Sequence, residues 1–194
     1  MAKLAVFFPG IGYTVDKPLM YYSRKLAVTY GYEIILLPYQ GFPENVKGNP
    51  DKMVQSYELA LSYSIDMLAT VNWNMYDEIL FVAKSVGTIV AATLADQSVF
   101  NDRIRLVLYT PLVQTFQFDF SDAIVFTGSN DPWVGEENHS ILELCRQRHI
   151  RCEVFDGANH SLETGKTDID LEYMKRVMGQ TEEYIINSPF SIWN

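Results

Sequence analysis

The sequence predicts an α/β fold, a three-layer α/β/α sandwich around a six-stranded parallel sheet, and three observations lead there. Short β-rich runs alternate with longer stretches of helical periodicity, the pattern of a parallel sheet covered by helices. Several of the short runs are apolar throughout, as strands buried on both faces must be. No repeat, linker or low-complexity segment interrupts the alternation, so one domain over residues 1–194 is expected.

The elements follow in order. Residues 4–8 are wholly apolar and stop at Pro9-Gly10, which makes them the first strand. Residues 17–30 carry helical spacing ended by Gly31, and residues 33–37 form the second strand, closed by Pro38. A loop holding Pro38, Gly41, Pro43, Gly48 and Pro50 leads into a long amphipathic helix over 51–70. Met53, Tyr57, Ala60, Leu61, Ile65 and Leu68 define its expected inner face. Strands are expected at 78–83, 104–109, 123–127 and 152–155, and helices at 86–96, 136–148 and 171–186. Residues 110–122 show no helical pattern and are close to the shortest chain that can cross between parallel strands, so they carry no cap domain. The expected strand order is 2-1-3-4-5-6.

Composition sets limits on function. Hydrophobic residues at 48% and charged residues at 20% describe a globular chain. Fifteen Lys and Arg against 24 Asp and Glu leave a net charge of −9, which argues against nucleic acid and anionic membranes as partners. No apolar run approaches the roughly 18 residues of a membrane span, and the N-terminal run is too short for a signal peptide. Two cysteines, Cys145 and Cys152, are too few for a disulfide framework or a zinc site. They are expected as reduced thiols of a cytoplasmic protein. No metal or organic cofactor is implied. Oligomeric state is not readable, although Phe190 and Trp193 in the tail are expected to pack on the domain or on a partner.

Ligands of open parallel sheets gather at the carboxyl ends of the strands. There the sequence places Pro9-Gly10-Ile11-Gly12-Tyr13-Thr14, Lys84-Ser85-Val86-Gly87-Thr88, Gly128-Ser129-Asn130-Asp131-Pro132 and Asp156-Gly157-Ala158-Asn159-His160-Ser161. Ala83-Lys84-Ser85-Val86-Gly87 reads as a G-x-S-x-G elbow with Ala first, a strained strand-to-helix turn that exposes the serine beside a helix N-terminus. The plainer reading of Ser85 is a helix N-cap. His160 is the histidine placed to act as base, with a solvated loop residue as the plainer reading. His139 and His149 lie on or at the end of a helix. Asp131 is preferred over Asp156 as the partner of His160, because Asp156-Gly157 is also a turn signal. Lys84 reads as a packing or surface residue and not as the base.

With the nucleophile, acid and base candidates in the order Ser85, Asp131, His160, the chain resembles the α/β-hydrolase superfamily. The likeness is to a small capless form related to the dienelactone-hydrolase-like branch. It runs from the Pro9-Gly10-Ile11-Gly12 loop to Asn159-His160. It implies a minimal α/β-hydrolase fold without a cap, with Ser85 as nucleophile, Asp131 as acid and His160 as base. It also implies an oxyanion hole from the N–H of Val86 and from Ile11, with Gly12 next. Pro9 replaces the usual histidine, Ala83 the first elbow glycine, and two opening strands are missing. Dienelactone hydrolases use a cysteine where Ser85 stands, so their substrate does not carry over.

The implied activity is a serine hydrolase acting on a small-molecule ester or thioester through an acyl-enzyme. With no lid, the site is expected to be open and to suit small or soluble substrates more than long lipids. Tyr13, Tyr109 and Trp133 are candidate substrate-binding residues. Phe116 and Phe118 are expected in an extended edge segment covering the sheet. Three alternatives stay open: an acyltransferase or peptidase on the same triad, a non-catalytic binding protein of the fold, and a flavodoxin-like nucleotide binder. For the last, Gly10-Ile11-Gly12 lacks the third glycine of a dinucleotide loop.

Overall fold

The computed structural model describes residues 2–120, 122–134 and 138–187, without the side chains of 138–140. Six strands form one sheet: β1 (Lys3–Phe8), β2 (Tyr32–Leu36), β3 (Glu78–Lys84), β4 (Ile104–Tyr109), β5 (Asp122–Gly128) and β6 (Arg151–Phe155). Their order is β2-β1-β3-β4-β5-β6 and every pairing is parallel, as expected. The helices are α1 (Pro18–Thr29), α2 (Pro50–Leu68), α3 (Val86–Asp96), α4 (Asn138–Gln147) and α5 (Thr167–Ile186).

The period of two along each strand sorts side chains into two cores. Val6, Phe8, Phe81, Ala83, Leu106 and Val125 face α2, α3 and α4. Ala5, Phe7, Val82, Val107, Ile124 and Phe126 face α1 and α5. Both faces are covered, which is why β3 and β4 are buried at every position. The register pairs Phe8 with Ala83, Lys84 with Tyr109 and Gly128 with Phe155. The loops leaving these strands therefore share one edge.

Three expectations need correction. On α2, Ala60 and Leu68 are buried and Tyr57 and Leu61 pack against the core as expected, but the buried stripe also takes Ser56 and Ser64, while Ile65 is half exposed. The serines can be buried because their hydroxyls bond the helix itself, Ser56 Oγ to the Lys52 carbonyl and Ser64 Oγ to the Ala60 carbonyl, both at 2.7 Å. After β4 the chain is not extended: Val113–Gln117 is a 3₁₀ helix that buries Phe116 in the core, and Phe118 follows it. Helix α5 starts at Thr167, with Asp168 and Asp170 favourable in its first turn. The expected start of α4 at Glu136, and the tail with Phe190 and Trp193, lie outside the described residues. Cys145 and Cys152 are free thiols. Among the described residues no helix is long and apolar enough to cross a membrane.

At the opposite edge the sheet buries charge. Glu78, fully buried, faces Lys3 Nζ at 3.1 Å and Arg105 Nη1 at 3.4 Å, and accepts a hydrogen bond from Tyr32. Arg105 also reaches Asp122 at 2.8 Å and donates to the Tyr184 carbonyl at 2.6 Å.

Candidate active site

Ser85 is the single residue between β3 and α3, and its backbone sits at φ 55°, ψ −126°, a conformation that side chains resist. Close packing enforces it. A Cβ on Gly87 would lie 2.2 Å from the Phe8 carbonyl oxygen and 2.5 Å from that of Pro9, so only glycine lets α3 begin against the end of β1. Gly10 likewise admits Ser85, since a Cβ there would lie 2.9 Å from Ser85 Cβ. The Ser85 N–H donates to the Tyr109 carbonyl at 3.1 Å, and its own carbonyl accepts from Thr88 Oγ1 at 2.6 Å.

Gly128 brings the other two side chains together. A Cβ on it would lie 2.1 Å from the Ala158 carbonyl oxygen, so the loops after β5 and β6 touch backbone to backbone. Ser129 N–H donates to the Phe155 carbonyl at 2.9 Å and Asn130 N–H to the Ala158 carbonyl at 3.0 Å. Asp131, almost fully buried, accepts from the Trp133 N–H at 2.9 Å through Oδ1 and meets His160 Nδ1 at 2.7 Å through Oδ2. His160 Nε2 lies 2.8 Å from Ser85 Oγ. Asp156 instead accepts from Ser129 Oγ at 3.0 Å, which settles the choice between the two carboxylates as neighbours of His160.

Burial, and after it the charge of Lys84, push the His160 imidazole down to about 4 against the opposing pull of Asp131. The ring is therefore neutral near pH 7. With Asp131 accepting at Nδ1, the proton sits there and Nε2 offers its lone pair to the Ser85 hydroxyl. The indole of Trp133 stacks on His160, with ring centroids 5.1 Å apart and planes 25° apart.

Of the two readings of Lys84, packing or surface, the structure shows the first, because the side chain is buried. Its Nζ donates to Thr110 Oγ1 at 3.2 Å and lies 4.6 Å from the centre of the Tyr13 ring. Burial lowers its pKa from the ordinary 10.5 to about 7, against the pull of Asp131 and Glu163. Thr110 passes the contact on, donating to the His160 carbonyl at 3.0 Å. Thr110 follows β4 at the same sheet edge, and that position is the signal by which it could be found in the sequence.

Gly10 and Tyr13 bond each other in both directions, at 3.1 and 3.3 Å, and leave Ile11 and Gly12 at the tip of a tight turn. Gly12 takes φ +68°, as the third residue of a type II turn requires. Val86 opens α3, so its N–H has no partner within the helix.

Tyr13 and Tyr109 do not line an open site. The Tyr13 hydroxyl accepts from Leu19 N–H at 3.1 Å, burial drives its pKa upward, and its ring covers Lys84. Tyr109 is fully buried toward α1 and α5, its hydroxyl 2.8 Å from both Ser23 Oγ and Thr181 Oγ1, and its pKa is pushed up to about 12 by burial. It shares the core of Val107 by the alternation of β4 and so covers the sheet, the plainer of the two roles open to it. Trp133 lines an open cleft beside His160.

Comparison with solved structures fits this topology. An esterase from Pyrococcus furiosus, Pf2001, superposes with a TM-score of 0.62 at 13% identity over 94% of this chain and 82% of that one. The fold is that of the α/β-hydrolases. An α/β serine hydrolase homologue from Coxiella burnetii gives 0.59 at 18% identity, over 92% and 84% of the two chains. Esterase 2 from Thermogutta terrifontis, phosphorylated by paraoxon, gives 0.58 at 17% identity, over 97% and 84%. The sequence matches no protein-family model and no curated protein. Within the α/β-hydrolase fold, Ser85, Asp131 and His160 follow β3, β5 and β6.

Proposed function

We propose that this protein is a serine hydrolase cleaving a carboxylic ester or thioester through Ser85, His160 and Asp131. The observation that carries the reading is the unbroken chain from Ser85 Oγ to His160 Nε2 at 2.8 Å and from Nδ1 to Asp131 Oδ2 at 2.7 Å, ending on a buried carboxylate. Ser85 Oγ attacks the carbonyl carbon while its proton passes to His160 Nε2. Asp131 holds the ring and stabilises the imidazolium. The N–H groups of Val86 and Ile11, with Gly12 beside them, receive the oxyanion, and each such donor is worth about 10²–10³ in rate. The imidazolium then protonates the leaving oxygen or sulfur. Water, deprotonated by His160, attacks the acyl-enzyme and releases the acid. The esterases of the same fold support the ester class as substrate.

The test is labelling with a fluorophosphonate on wild type, Ser85→Ala and His160→Ala, with the adduct mapped by mass. An adduct on Ser85 in the wild type, absent from both variants, is expected. A folded wild type that takes no label would overturn the reading.

A further inference from the structure

Next to His160 the surface opens into a cleft of about 740 Å³ between the first turns of α2, the start of α3, the segment after β4 and the loop carrying Trp133. That volume falls in the ~300–1,000 Å³ range of small-molecule sites. We propose that this cleft binds an extended, neutral apolar group of the substrate, an alkyl chain of medium length or an aryl ring attached to the scissile ester. The proposal rests on the serine-hydrolase reading.

Continuity with the site carries it first. Trp133 forms one wall of the cleft and lies flat on the His160 ring. Ile89 forms another and stands four residues beyond Ser85, one turn along α3 and on the same side of the helix. The cleft thus shares Trp133 with the His160 side of the site and Ile89 with the helix that Ser85 opens, which places it within reach of a group attached to a carbonyl at Ser85 Oγ.

Chemistry carries it second. Met53, Val54, Tyr57 and Phe118 complete the apolar wall with Ile89 and Trp133. Val54 is 53% exposed toward it, an aliphatic side chain left uncovered on a helix. The polar lining is amide in character, from Asn49, Gln114 and Gln117. Among the described residues, Lys47 is the one side chain of a charged type on the wall, in the loop that leads into α2. The first turns of α2 thus supply the wall that a cap would otherwise provide, and the reach of the site exceeds the short esters that an open, lidless edge suggests.

The experiment compares kcat/KM across p-nitrophenyl acetate, butyrate, hexanoate and octanoate, and across acetate esters of lengthening alcohols. Fluorophosphonate labelling of Ser85 is read in the same preparations. A cleft that buries each added methylene raises kcat/KM by about fourfold per methylene until it is filled. A rise in the first series assigns the cleft to the acyl chain, and a rise in the second to the alcohol. Val54→Trp and Met53→Trp, which fill the cleft from α2, are expected to lower the octanoate-to-acetate ratio, or its alcohol counterpart, by about tenfold or more. Labelled enzyme that turns over acetate with a flat profile in both series would overturn the cleft and leave the serine chemistry standing. A profile that rises but is unmoved by both variants would also overturn it. Absence of labelling and turnover would remove the serine chemistry itself, and the cleft assignment with it.

Discussion

Lys84 Nζ donates to Thr110 Oγ1, and Thr110 Oγ1 donates to the His160 carbonyl, so a buried ammonium supports the loop that carries the imidazole. Its charge is also the second cause, after burial, of the low His160 pKa of about 4. Asp131 pulls that pKa upward, while Lys47 pushes it down. In the proposed mechanism the base form of His160 is the reactive one, so kcat/KM is expected to rise with pH through about 4 and to be level by pH 6. Lys84→Met removes the nearer positive charge and should move the acid limb to higher pH. A pH–rate profile of both proteins checks this, and a limb that stays in place would show that Lys84 acts on packing alone.

The same lysine makes stability depend on pH in a defined direction. Its folded pKa of about 7 lies below the ordinary 10.5, so between those values the unfolded chain holds more protons and stability rises with pH. Below about 7 both states are charged and the full cost of burying the ammonium is present. Lys84→Met should therefore stabilise the fold at pH 6 by on the order of a few kcal/mol, less whatever the Thr110 bond contributes. The gain should shrink as pH approaches 10. Urea unfolding of both proteins at the two pH values measures it, and a gain that grows with pH would contradict the direction.

How much of this was legible in the sequence follows from what each feature depends on. The sheet order could be read because all-apolar strands alternating with helical runs allow few topologies. The meeting of Ser85, Asp131 and His160 could be anticipated because all three follow strand ends, where glycines let loops touch, Gly87 against Phe8 and Gly128 against Ala158. Lys84 could not, because the pattern around it does not say that a lysine beside the elbow turns inward beneath the Tyr13 ring. Tyr109 stays ambiguous for a related reason: alternation along β4 groups it with Val107 but does not say, without the fold, whether the last residue of a strand meets the pocket or the core. The inner stripe of α2 was hidden because its serines satisfy their own hydroxyls, so they behave as small core residues.

Ser85 holds φ 55° and ψ −126°, where a Cβ is opposed by its own backbone. Ser85→Ala keeps that strain, whereas Ser85→Gly relieves it. Both should lose at least about 10⁴ in turnover, and the glycine variant should be the more stable of the two by roughly 1 kcal/mol. Paired denaturation curves give the difference. Equal stabilities would mean that the elbow is not strained, and that packing at Gly10 and Gly87 fits it without cost.

Glu78 opens β3 and Lys84 closes it, so the buried ion cluster lies about 20 Å along the strand from the serine edge. Removing one member of a buried cluster leaves the others uncompensated. Glu78→Ala strands Arg105 and the Lys3 ammonium that face it at 3.4 and 3.1 Å, together with the Tyr32 hydroxyl. The expected cost is about 3–5 kcal/mol, with Glu78→Gln costing less because the amide can still accept from Tyr32. Distance separates this effect from chemistry: below its lowered melting point, Glu78→Ala should take fluorophosphonate on Ser85 at the wild-type rate. Denaturant unfolding reads the first half and labelling kinetics the second. A loss under about 1 kcal/mol would mean that Arg105 is held by Asp122 and the Tyr184 carbonyl alone, with Glu78 contributing little.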